Sequence, residues 1–203
     1  MSLLISNTTN VGCIQVKDGC LVGVDQCHSP NSNQRPGGVE ISLLVIHNIS
    51  LPPGEFGNGN VKAFFSNQLG PHHHPYFRTI VDLKVSAHLF ISRDGTITQF
   101  VPFSARAWHA GVSSFGGIQN CNDYSIGIEL EGCDNIAYTD AQYDSLVSSV
   151  RAIMRTYPQI SLERIVGHCD IAPERKTDPG EAFDWVRLRK QLIEVSVGTH
   201  NHT

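Results

Sequence analysis

Residues 41–47 read "ISLLVIH". The run is apolar at almost every position, as in a strand covered on both faces of a sheet. Its neighbours supply the rest of that sheet. "YSIGIELE" (124–131) alternates, with Ile126, Ile128 and Leu130 facing one way and Ser125, Gly127, Glu129 and Glu131 the other. "AHLFISRDGTITQFV" (87–101) reads as two strands joined at Arg93-Asp94-Gly95, and "RIVG" (164–167) as one short strand. Helices fall between them. "VKAFFSNQL" (61–69) predicts a short one. Thr139, with Gln142 three residues on, predicts a capping box opening a helix that runs to about Thr156, before Pro158. "FDWVRLRKQLIEV" (183–195) predicts a last helix. Near the start, "GCIQVKDGCLVGV" predicts a hairpin turning at Lys17-Asp18-Gly19. Interleaved strands and helices predict a single α/β domain with a central mixed sheet flanked by helices.

The chain has 203 residues, enough for one domain with its own core. Hydrophobic residues make up 40% and charged residues 17%, which argues against disorder. The net charge of -4 and the lack of a basic stripe argue against nucleic acid. No run is long enough for a membrane span. "MSLLISNTTNVG" has no cationic leader, so the expected compartment is the cytoplasm. The six cysteines are read accordingly as reduced thiols.

His47 ends the decisive strand, and ligands gather at strand ends. A core histidine bonded to backbone is the plainer alternative. His168 follows "RIVG", and Asp178 lies ten residues further on in "GHCDIAPERKTDPG". Pro173, Pro179 and Gly180 prevent one helix across that span, so it is a structured loop able to fold back. Two imidazoles and one carboxylate leave a fourth position open, the pattern of catalytic zinc rather than structural zinc. On spacing alone a salt-bridged surface loop explains the stretch as well. Glu129 and Glu131 share one face of their strand. One of them could act as a general base, or both could be solvated.

His72-His73-His74 sits in a Pro-flanked loop and reads as solvated. Cys13, Cys20 and Cys27 lack zinc-knuckle spacing. Cys169 points away from His168 if the segment is extended. His88 and His109 read equally well as pocket lining or as buried hydrogen-bonded histidines.

Seven motifs occur in one order: "SLLVIHNISLPPGEFG", "HHPYF", "VSAHLFISRDG", "RAWHAGVSSFGG", "CNDYSIGIELEG", "AYTDAQY" and "GHCDIAPERKTDPG". Together they resemble the zinc-dependent N-acetylmuramoyl-L-alanine amidases, a family that also includes peptidoglycan recognition proteins, and within it the cytoplasmic branch acting on 1,6-anhydro-muropeptides in cell-wall recycling. The resemblance runs from about Ser42 to Trp185. It implies one zinc ion per chain, held by His47, His168 and Asp178. Glu129 would be the base that activates the attacking water, and Lys176 would stabilise the oxyanion. Asn48, Tyr76 and Trp108 would contact substrate. Lys84 would too, although some relatives carry arginine there and a lysine gives only a point charge. The implied partner is a small muropeptide; a monomer is the expectation, the sequence leaving the oligomeric state open. Residues 1–40 would form a hairpin and loop packed on an amidase domain of residues 41–194, with 195–203 as a flexible tail. Part of the segment between His47 and Val85 is expected to cover the pocket.

Overall fold

The computed structural model describes residues 14–194. Cys13 and the expected tail lie outside them. Six strands form the central sheet: β1 (Asp25–Gln26), β2 (Leu43–Ile49), β3 (Leu89–Ile91), β4 (Ile97–Gln99), β5 (Ser125–Glu131) and β6 (Ile165–Gly167). Their order across the sheet is β6-β2-β5-β3-β4-β1. β2 runs parallel to both β5 and β6, β5 parallel to β3, and β1 parallel to β4. Only the β3–β4 pair is antiparallel, joined through the expected Asp94-Gly95 turn. The mixed sheet is therefore as expected.

The two faces of β2 explain its nearly unbroken apolar run. Leu44 and Ile46 join Ile126, Ile128 and Leu130 beneath α3 (Asp140–Thr156) and α5 (Trp185–Glu194). Leu43 and Val45 point to the opposite face, against Ala110, Cys121, Tyr124 and Ile171. His47 has the parity of Val45, so it lies on this second face. The strand does not end at His47 as expected but continues to Ile49, because Glu131 still pairs with Ile49 across the ladder.

α3 has the predicted bounds. The Gln142 N–H donates to Thr139 Oγ1 and the Thr139 N–H to Gln142 Oε1, each at 3.1 Å. Such a box is worth about 1 kcal/mol. Gln142 Nε2 also donates to Ile91 O and Glu131 O, which ties the start of the helix to the ends of β3 and β5. The N-terminal hairpin pairs Val16–Lys17 with Cys20–Leu21. Asp18 and Gly19 both have positive φ, as a two-residue hairpin turn requires.

α1 (Asn60–Phe65) stops short of the expected Leu69, because Asn67 takes a positive φ. With α2 (Phe77–Ile80) it buries Phe64, Phe65 and Phe77 against Phe90 and Phe100. The segment expected to act as a cover carries its own apolar core. Two-residue β1 was not foreseen in the sequence; Asp25 and Gln26 are polar and exposed, so no pattern marks them.

Candidate active site

β2, β5 and β6 are adjacent and parallel, so their carboxyl ends open at one edge of the sheet, where ligands collect in α/β folds. In the ladder Glu129 lies directly opposite His47, and Gly167 opposite Ile46. His168, the next residue after β6, therefore arrives beside His47. It begins α4 (His168–Ile171), a single turn that reverses the chain. The loop then folds back as expected: the Cys169 N–H donates to Asp178 O at 2.9 Å. Because the segment turns helical, the extended geometry assumed for Cys169 does not apply.

Three ligand atoms converge here. His47 Nδ1 lies 2.9 Å from His168 Nδ1, and each lies 3.1 Å from Asp178 Oδ2. Both imidazoles are almost wholly buried. His168 Nε2 is 3.0 Å from Ala110 O. A carbonyl only accepts, so Nε2 carries the hydrogen and Nδ1 presents a bare lone pair. Two imidazole nitrogens and a carboxylate oxygen facing one another at this range need a proton or a cation between them. Zinc bonded to nitrogen at 2.0–2.1 Å would set its ligand atoms roughly 3.3 Å apart, so the cage fits the ion with shifts of a few tenths of an ångström. Among the described residues these three are the His, Cys, Asp or Glu group that could hold a metal ion. His72, His73 and His74 are outside it.

Charges around the cage reflect its burial. Burial lowers the His47 pKa to about 4, partly offset by its hydrogen bond to Asp178. For Asp178 burial works upward, but bonds from His168 and His47 and their charges outweigh it, leaving the carboxyl below its usual range. Glu129 is pushed well up, first by burial and then by the Asp178 charge, with Lys176 opposing. Glu129 Oε2 is buried without a hydrogen-bond partner among the described residues. Glu131, on the same face of the strand, accepts from the Gly57 and Arg93 N–H groups and so holds loops together. That separates two carboxylates the alternation left equivalent. Both are buried rather than solvated.

A cavity of about 660 Å³ opens over the cage, lined by His47, Glu129, His168, Lys176 and Asp178. Its far wall is apolar, with Phe64, Phe65, Tyr76 and Ile80 from the α1–α2 segment. Asn48 lines it too, but its Nδ2 is engaged by Asp134 Oδ1 and Pro179 O. Lys84 is exposed and outside the lining; Trp108, half-buried, is outside it too, and its Nε1 donates to Asn33 Oδ1 at 3.0 Å. His109 lines the cavity and touches His47; His88 lies beneath it, away from the opening. His109, read from the sequence as pocket lining or as a buried hydrogen-bonded histidine, is both, while its partner Ser125 was not singled out. The signal for Ser125 was the parity it shares with Gly127 and Glu129. Five cysteines, 20, 27, 121, 133 and 169, are free thiols.

Residues 37–181 match the family model described as N-acetylmuramoyl-L-alanine amidase. The chain is 55% identical over 174 residues to the 1,6-anhydro-N-acetylmuramyl-L-alanine amidase AmpD of Escherichia coli K12, covering 86% of this chain and 94% of that protein. The crystal structure of a selenomethionine AmpD derivative superposes with a TM-score of 0.86 at 53% identity, covering 88% and 99% of the two chains. The amidase AmiD of E. coli, in complex with the substrate anhydro-N-acetylmuramic acid-L-Ala-D-γ-Glu-L-Lys, superposes with a TM-score of 0.56 at 28% identity. That alignment covers 88% of this chain and 65% of AmiD.

Proposed function

The chain belongs to the N-acetylmuramoyl-L-alanine amidase family and hydrolyses the amide between muramic acid and L-alanine in muropeptides of peptidoglycan recycling; we propose that it does so with one zinc ion held by His47, His168 and Asp178. The convergence of two imidazole nitrogens and a carboxylate oxygen within 3.1 Å of one another carries this reading. Zinc, when bound, supplies a Lewis acid that makes a water nucleophilic near neutral pH and polarises the scissile carbonyl. Glu129 takes the proton of the attacking water on its unpartnered Oε2 and hands it to the departing L-alanine nitrogen. Burial raises its proton affinity, which suits a base that must hold the proton until the amine leaves. Lys176, on the cavity wall, faces the oxygen that gains charge as the carbonyl is attacked. Phe64, Tyr76 and Ile80 give the cavity an apolar wall for the substrate to pack against.

The substrate is a small soluble anhydro-muropeptide, and the reaction belongs in the cytoplasm. Free thiols at all five described cysteines fit a reducing compartment. No helix among the described residues is long and apolar enough to cross a membrane. One experiment tests both parts. Zinc content and amidase rate are measured for the wild type and Asp178→Ala, on soluble anhydro-muropeptide and on intact wall. The expected result is one zinc per wild-type chain, loss of zinc and activity in the variant, and preference for the soluble substrate. Zinc retained by Asp178→Ala refutes the ligand set, and preference for intact wall refutes the recycling role.

A further inference from the structure

We propose that His109 is a positioning residue: it holds the His47 ring in the tautomer that leaves a bare lone pair on Nδ1, the atom facing His168 and Asp178. The proposal rests on the ligand set given above. His47 Nε2 lies 2.9 Å from His109 Nδ1, and His109 Nε2 lies 3.1 Å from Ser125 Oγ. All three side chains are buried, so water does not compete for these bonds. If His47 Nε2 donates to His109, His109 Nε2 in turn donates to Ser125, and His47 Nδ1 is free to bind a cation. Run the other way, from the Ser125 hydroxyl through His109, the chain leaves the proton on His47 Nδ1, where it donates to Asp178. The three residues thus have two internally consistent states, one matched to a cation in the cage and one to a proton.

The surroundings are shaped for this ring. A Cβ on Gly127 would lie 2.5 Å from His109 Cγ, so the ring lies flat against β5 only because residue 127 has no side chain. The His109 and Ala110 N–H groups both donate to Asn122 Oδ1, at 3.1 and 2.8 Å, which fixes the backbone beneath the ring. Ala110 O is also the acceptor for His168 Nε2. One dipeptide, His109-Ala110, therefore engages the outward nitrogens of both imidazole ligands. Partners of this kind set ligand tautomer and orientation, and losing one typically weakens metal binding about 10–100-fold.

The test is zinc affinity by competition with a chromogenic chelator, alongside thermal unfolding and kcat/KM. His109→Phe keeps the ring volume and removes the acceptor; it is expected to weaken zinc binding about 10–100-fold. His109→Asn places an amide oxygen where Nδ1 was and is expected to recover most of that loss. Ser125→Ala keeps the ring and is expected to weaken binding by a smaller factor. Wild-type affinity in a folded His109→Phe, or no rescue by His109→Asn, overturns the proposal. Should His109→Phe not fold, Ser125→Ala decides, and wild-type affinity there overturns it. His168→Ala is the control: if it keeps zinc, the ligand set is wrong; if it loses zinc while His109→Phe does not, only the role of His109 fails.

Discussion

Gly127→Ala places one methyl group at the closest packing point behind the cage. The new carbon would meet His109 Cγ, Nδ1 and Cδ2 at 2.5, 2.6 and 2.8 Å. Carbon atoms in good contact stay about 3.5–4.0 Å apart, so the ring must retreat by about 1 Å. His47 Nε2 to His109 Nδ1 is 2.9 Å, and such a retreat carries it beyond hydrogen-bonding range. Overpacking of this size costs about 1–3 kcal/mol, or about 2–12 °C of Tm for a chain of this length. Zinc affinity should fall about 10–100-fold in parallel, through the lost contact to His47. Calorimetry of the metal-free protein reads the first effect and chelator competition the second. A variant with wild-type Tm refutes the close seating of the ring on β5. A lowered Tm with wild-type zinc affinity refutes the transmission of that contact to the cage.

Glu129→Gln should retain stoichiometric zinc while kcat on anhydro-muropeptide falls about 10²–10⁴-fold; loss of zinc would instead make Glu129 a ligand. His88 is buried and its pKa is lowered to about 3, by burial first and then by the Arg35 charge. Its Nδ1 accepts from the Gly127 N–H, so Nε2 carries the hydrogen and donates to Ala105 O. Between the unfolded value near 6.5 and the folded value near 3, the unfolded chain binds the extra proton, so stability falls as pH falls through that window. From pH 6.5 to 5 the loss is about 2 kcal/mol for this one histidine. Urea unfolding at the two pH values should show His88→Gln spared that part of the loss, and identical losses in both proteins would refute the assignment.

Local chemistry in the sequence located most elements. The Thr139–Gln142 capping box set the start of α3, and Asp18-Gly19 marked the hairpin, because each depends on residues within a few positions of one another. Glu129 and Glu131 could not be separated that way. Alternation puts both on one face, and what distinguishes them is a remote loop: Gly57 and Arg93 claim Glu131, while no described residue claims Glu129 Oε2. The ordered motifs pointed to His47, His168 and Asp178 as one group, which the fold does bring together, whereas spacing alone left His168 and Asp178 undecided. His109 was half legible: "RAWHAGVSSFGG" named it, but its contact with His47 spans 62 positions and exists only once β2 and β5 lie side by side.

The pairing of His47 with Glu129 across that parallel ladder also bears on how the enzyme folds. His47 is 121 positions from His168 and 131 from Asp178, and only His168 and Asp178 are near one another along the chain. Of these three groups an unfolded chain therefore offers a cation two at short range at most, so an ion at this site cannot template the fold. It can bind tightly only after β2, β5 and β6 have docked in register, so it acts as a latch on the finished topology. By mass action each tenfold rise in free zinc above its Kd then adds about 1.4 kcal/mol to the folded state. With the proposed zinc ion in this role, its scarcity would lower the amount of folded enzyme as well as its activity.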